Sequence, residues 1–276
     1  MCKKLAVLFV ALIVAGTSQA GVVLLVSDSL APGVEGEDHL DDAFVSFLEG
    51  LGHTVDTSGM GEAYREGNAP FADDGKVAAL ESADLVVVSR RTSSGSYDND
   101  RKNWNELGTP LLLMNGYLVR GEVSSKRWGW AAGAAEEASL SATTLDLGDM
   151  GTVESFDFSG APTPGGAPKP AYLAKKDGSS EFPDMAEVLG TFDGYDMLVD
   201  IPAGTDLDAH NGTVDKYGVA GGRRAFLGHW GYDADGPYDW SSFITDGYED
   251  VVGQTVNTLI RLVRQCTIQQ EQRAVG

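Results

Sequence analysis

Short, unbroken apolar runs that end in small polar residues alternate along this chain with segments whose apolar positions recur at helical spacing. Val22–Ser27, Ala83–Ser89 and Pro110–Asn115 are runs of the first kind. Their valine- and leucine-rich composition is that of parallel strands covered on both faces. His53–Asp56 reads as a shorter strand. Between these runs, Asp38–Gly50 carries Leu40, Ala43, Phe44, Phe47 and Leu48 on one helical face and is closed by Gly50 and Gly52. Asp74–Ser82 and Asp98–Leu107 read as further helices. The β-α-β-α-β-α-β alternation predicts a mostly parallel sheet with helices on both faces, a flavodoxin-like three-layer α/β/α architecture.

Beyond Tyr117 the regular spacing fades. Thr143–Phe158 suits two short strands, and Ser159–Pro170, rich in proline and glycine, reads as a loop. Met197–Asp200 and Lys216–Ala220 read as antiparallel strands, so an irregular, partly antiparallel insertion is expected over about 118–221. Arg223–His229 restores a core strand. Asp246–Cys266 predicts a closing helix with Val251, Val252, Val256, Leu259, Ile260 and Val263 on its buried side. Residues 269–276 form a polar tail, and residues 21–268 a single α/β domain.

The first twenty residues change the expected location. Lys3 and Lys4 precede an apolar run from Leu5 to Ala15, and small residues stand at Ser18 and Ala20. This is the pattern of a cleaved secretory signal over residues 1–20, and it predicts a secreted protein. That run is too short to span a bilayer comfortably, and no later run is long and apolar enough to serve as a membrane anchor. The formal net charge of −21 argues against nucleic acid as a partner, because phosphates need a basic surface. Of the two cysteines, Cys2 lies in the signal and Cys266 stands alone, so no disulfide is expected.

Strand ends at Val26-Ser-Asp28, Val88-Ser-Arg90 and Met114-Asn-Gly116 resemble those of the class I glutamine amidotransferase-like fold. The segment Gly222-Arg-Arg-Ala-Phe-Leu-Gly-His-Trp230, followed by Trp240, Phe243 and a long helix, is similar to the end of trehalose-utilisation-type (ThuA-like) proteins. The resemblance implies a nucleophilic cysteine on a sharp strand-to-helix turn. This chain has Met114-Asn-Gly-Tyr117 there, and Cys266 is too distant in the chain to stand in. Glutamine hydrolysis by the family's mechanism is therefore excluded, and no Gly-x-Ser-x-Gly elbow installs serine instead.

In such a sheet, ligands bind beyond the carboxyl ends of the strands where strand order reverses. The loops there hold Asp28 and Ser29, Arg90 and Arg91, Asn115 and Tyr117, and His229 and Trp230. Together they suit a hydroxyl-rich or anionic ligand. Each also has a structural reading: Arg90 pairing with Asp28, Asn115 capping a turn, His229 packed beside Trp230. Trp128 and Trp130, with Arg127 beside them, either stack on sugar rings or plug the sheet's end. Asp233, Asp235 and Asp239 resemble the start of a calcium loop but lack its terminal glutamate; they and the similar Tyr97–Asp100 and Asp206–Asp208 segments either hold calcium or simply form turns. No other cofactor is indicated. The leading expectation is a non-catalytic amidotransferase-like domain that binds an extracellular ligand such as carbohydrate. One alternative is a secreted carbohydrate-active hydrolase using His229 and Asp28 as acid and base; another is a surface structural or assembly protein. The sequence leaves the oligomeric state open.

Overall fold

A computed structural model describes residues 20–36, 38–121, 127–132, 181–192, 195–230 and 249–261, with short strands between 136 and 175. The signal-like residues 1–19, the loop of Asp233, Asp235 and Asp239, the Ser159–Lys169 part of the predicted loop and the tail lie outside the described residues. Most of Thr143–Phe158 and both ends of the predicted Asp246–Cys266 helix do so as well.

The chain opens with β1 (Val22–Val26), α1 (Asp42–Gly50), β2 (Thr54–Asp56), α2 (Asp74–Ser82), β3 (Leu85–Val88), α3 (Arg101–Glu106) and β4 (Leu111–Leu113). Then come the short strands β5 (Glu136–Glu137), β6 (Leu145–Asp146), β7 (Thr152–Val153), β8 (Pro170–Tyr172) and β9 (Ala174–Lys175). The longer β10 (Glu187–Phe192) and β11 (Tyr195–Ile201) precede α4 (Leu207–Asn211), β12 (Arg224–Leu227) and β13 (His229–Trp230). Residues 249–261 form a last helix, α5.

A ten-stranded sheet runs in the order β2-β1-β3-β4-β12-β11-β10-β6-β7, with β9 joined to β11. Pairing from β2 through β12 is parallel. From β11 onward it is antiparallel. The parallel half is therefore the flavodoxin-like order expected from the alternation, and strand order reverses between β1 and β3.

Period-two alternation divides the core. Val23 and Leu25 join Phe44 and Leu48 of α1 and Val252, Val256 and Ile260 of α5 on one face. Leu24 and Val26 join Leu80 of α2 and Trp104 of α3 on the other. Complete burial of each such valine or leucine contributes about 1.5–3 kcal/mol relative to exposure. α1 starts at Asp42 rather than Asp38, because the preceding loop is closed first by the Leu30 N–H donating to the Asp38 carbonyl at 2.7 Å. Lys216–Ala220 is not a strand. Its sheet-type pairing is limited to one bridge between Val219 and Asp206, because the N–H groups of Lys216, Tyr217 and Gly218 donate to the Asp208 carboxylate instead.

One loop near α4 is built around a carboxylate. Asp208 accepts from the Thr213 hydroxyl at 2.6 Å and from the N–H groups of Lys216, Tyr217 and Gly218. Partial burial acts to raise its pKa, but those bonds outweigh it and hold the carboxyl down at about 2. The folded value lies below the ordinary one of about 3.9, so this stabilisation is complete above that value and is lost as pH falls through 2. Asp208→Ala is expected to lower the unfolding free energy by about 1–2 kcal/mol at pH 6. In urea titrations the gap between wild type and variant should close between pH 5 and pH 2. A gap independent of pH would assign the loss to packing instead.

Candidate functional site at the strand-order reversal

β1 and β3 both end in serine, and both serines turn to one acid. Asp41, at the head of α1, is fully buried, and its Oδ2 accepts from Ser27 Oγ and Ser89 Oγ at 2.6 Å each. Each serine oxygen in turn accepts a backbone N–H two residues on, from Ser29 and from Arg91, at 3.1 Å. Asp41 occupies the N-cap position of α1, where aspartate ordinarily accepts from the first turn, yet it makes no side-chain cap bond. Its side chain serves the strand ends instead. Asp41 Oδ1 and Ser29 Oγ are both buried and have no hydrogen-bond partner among the described residues.

Asp28, one residue past Ser27, is held from three sides. It accepts from Arg65 Nε at 3.1 Å and Arg65 Nη2 at 2.8 Å, from the Ser93 N–H at 2.7 Å and from the Tyr97 hydroxyl at 2.7 Å. The pairing proposed from sequence between Asp28 and Arg90 is thus made by Arg65. Burial, and then the Asp28 charge, push the Tyr97 phenol far above its ordinary range, so it stays a donor. A carboxylate has about four acceptor positions, and these four bonds occupy them. Asp28 is thus a structural tie between loops, its acceptor positions committed to Arg65, Ser93 and Tyr97.

Arg90 and Arg91 are nearly buried, and Arg91 Nη2 lies 3.5 Å from Asp38 Oδ2. Asn115 takes the turn-forming role: its Nδ2 donates to the Thr92 carbonyl and hydroxyl, and its Oδ1 accepts the Tyr117 N–H at 2.9 Å. The Tyr117 ring lies under the Arg120 guanidinium, 4.8 Å from its centroid. His229 and Trp230 follow β12 and pair with Ala171 and Pro170 in a separate three-stranded sheet. Their side chains lie outside the described residues.

Trp128 and Trp130 are not a ligand platform. Both are completely buried, Trp128 stacks on Trp104 at 5.2 Å, and Trp130 packs on Trp128 at 5.9 Å. Their indole N–H groups donate to the Tyr97 carbonyl and to Asn105 Oδ1, both at 2.8 Å. Gly129 between them has φ +72°, and a Cβ there would lie 2.5 Å from the Tyr217 ring. Arg127 donates to the Ser94 carbonyl and to Asp98. Asp206 caps α4 by accepting the Ala209 N–H at 2.9 Å. Among the described residues no group of three or more His, Cys, Asp or Glu side chains could hold a metal ion. Nor is any helix among them long and apolar enough to cross a membrane.

Asp41, Arg65 and Tyr97 were missed in the sequence. The repeated Val-Ser ending of β1 and β3 was the available signal, since two buried hydroxyls at neighbouring strand ends require a shared partner.

No family model matches the chain, and no curated protein matches it. Among solved structures it is similar to a cytoplasmic protein from Salmonella typhimurium, with 14% identity, 86% of this chain and 97% of that one covered, and a TM-score of 0.46. A second cytoplasmic protein, from Salmonella typhimurium LT2, has 12% identity, 86% and 99% coverage, and a TM-score of 0.49. An exo-beta-1,4-mannosidase from Opitutaceae bacterium strain TAV5 has 12% identity, 75% and 31% coverage, and a TM-score of 0.39. The secreted location expected from residues 1–20 is corrected here: both Salmonella proteins are named as cytoplasmic, and secretion is withdrawn. Likenesses this distant carry no argument about chemistry.

Proposed function

We propose that this chain is a non-catalytic domain of the class I amidotransferase-like kind that binds a small polar ligand, such as a carbohydrate, where β1 and β3 diverge. One observation carries the reading: at the place where this fold receives ligands, two fully buried polar atoms, Asp41 Oδ1 and Ser29 Oγ, have no partner among the described residues. Buried polar groups are almost always paired, and an unpaired pair at such a position is the mark of a site completed by something else. The absent cysteine after Met114 and the fully occupied Asp28 support binding over hydrolysis. With Trp128 and Trp130 in the core, recognition rests on hydrogen bonds rather than ring stacking.

Thermal unfolding of the full chain against a glycan panel tests this. A ligand bound only by the native state, at a hundred times its dissociation constant, adds about 2.7 kcal/mol. The expected result is a clear upward shift with at least one glycan that is reduced in Arg91→Ala. No shift across the panel would overturn the reading and favour a structural or assembly role.

A further inference from the structure

The stretch of chain that contains β5–β9 leaves the described core at Ala132 and rejoins it at Glu181. Those two residues meet in an isolated antiparallel bridge, where the Ala132 N–H donates to the Glu181 carbonyl at 2.8 Å. A half-buried imidazole stands on the same bridge. His210 Nε2, on α4, lies 3.2 Å from the Ala132 nitrogen, whose N–H also donates to it, and 2.9 Å from the Glu181 carbonyl oxygen. One hydrogen thus serves two acceptors. A ring with its proton on Nδ1 completes this arrangement, because Nε2 then offers a lone pair. A ring with a proton on Nε2 can donate to Glu181 but meets the Ala132 N–H donor to donor. The neutral ring has the choice between these forms; the imidazolium, protonated on both nitrogens, does not. Asn211, the next residue of α4, holds the same entering segment by a separate bond, its Nδ2 donating to the Gly129 carbonyl at 2.7 Å.

We infer that His210 is an acid-sensitive clasp on this bridge: neutral, it shares the Ala132 N–H and holds the two chain ends together; protonated, it opposes that N–H and frees Ala132, while Asn211 keeps Gly129 in place. The clasp is independent of the binding role proposed above. The charged groups around it are accounted for element by element. On its own helix, Asp206 caps the Ala209 N–H and Asp208 is committed to the loop that follows. In that loop Asp215 pairs with Lys102, and the Lys216 ammonium lies over the Tyr217 ring. Arg127, on the entering segment, is held by Asp98 and the Ser94 carbonyl. Asp184 and Glu181, on the returning segment, favour the cation, as does the Glu181 carbonyl, but burial of the ring outweighs them and pushes its pKa down. The folded value lies below the ordinary one of about 6.5, so the stabilisation is complete above that value and is lost as pH falls through the lowered one.

Amide hydrogen exchange at Ala132, read by NMR on the full chain and corrected for the intrinsic effect of pH, tests this. The His210 ring signal is followed in the same titration, with the Leu111 amide on β4 as the reference for the core. Between about pH 7.5 and pH 4.5 the protection of Ala132 is expected to fall about 2- to 10-fold, the range for one hydrogen bond, in step with the ring and with Leu111 unchanged. His210→Gln supplies a carbonyl oxygen that accepts and does not titrate, and should hold Ala132 protection constant over the same range. The same pH dependence in wild type and His210→Gln would overturn the clasp. So would a ring that titrates with no change at Ala132, a ring that stays neutral throughout, or an equal loss of protection at Leu111.

Discussion

Replacing Arg224 with methionine is expected to lower the unfolding free energy by about 3–5 kcal/mol, among the largest effects of any single substitution here. Arg224 lies on β12 and is completely buried, and its guanidinium donates to backbone carbonyls. Nη1 donates to Thr109 at 2.9 Å, and Nη2 donates to Asn105 at 2.7 Å, to Leu107 and to Trp104. Three of these carbonyls belong to the last turn of α3 and its C-cap, where a helix leaves acceptors unsatisfied and carries its negative pole. Methionine fills a similar volume with no donor, so several buried acceptors lose their partner at about 1–3 kcal/mol each. Relief from burying the charge offsets part of that, since burial alone pushes this guanidinium down to about 9. It remains protonated at neutral pH. Arg224→Lys keeps the charge and three donors and should fall between the two. Urea titration at pH 7 measures the series, and a methionine variant within about 0.5 kcal/mol of wild type would show that the carbonyls are satisfied by water instead.

Asp28→Ala should cost about 2–4 kcal/mol of stability, with Asp28→Asn intermediate. The loss is concentrated on buried partners: the Tyr97 hydroxyl and the Ser93 N–H are left without their acceptor, whereas Arg65, 29% exposed, can turn toward Glu62 and solvent. Asparagine keeps one carbonyl oxygen but cannot receive Arg65 across two oxygens. The hydrolase alternative makes a different prediction for the same variant, lost turnover at unchanged stability. Thermal denaturation of Asp28→Asn therefore separates the two, and a midpoint equal to wild type would remove the loop-tying role argued for this acid.

The parallel half of the fold was legible because its strands are covered on both faces, and complete burial writes itself as unbroken valine and leucine. Asp74–Ser82 matches α2 to the residue, and the structure adds the reason for its start, the Asp73 side chain accepting from the N–H groups of Gly75 and Lys76. The antiparallel half was harder, since Met197–Asp200 shows only the centre of β11 and α4 is too short to display a period. At the candidate site, Asp28 and Ser29 stood out by position alone. Asp41 did not, because an aspartate before a helix reads as a cap, and only the fold shows that its side chain turns back to two strands. The tryptophans illustrate the converse: Trp128 and Trp130 look like a surface feature beside Arg127, but Asn105, donating to the Trp128 and Tyr217 carbonyls, draws that loop into the core.

The Arg224 contacts also constrain the order in which the molecule can be completed. They join residues 115–120 positions apart in sequence, and the same segment packs so closely that a Cβ on Gly222 would lie 2.3 Å from the Gly108 carbonyl oxygen. A growing chain that has made β4 still lacks both the neighbour on that strand's open edge and the donors that close α3. Until β12 emerges, its exposed edge and unfinished helix end face water together, which makes this interval of synthesis the one most open to mispairing with another chain.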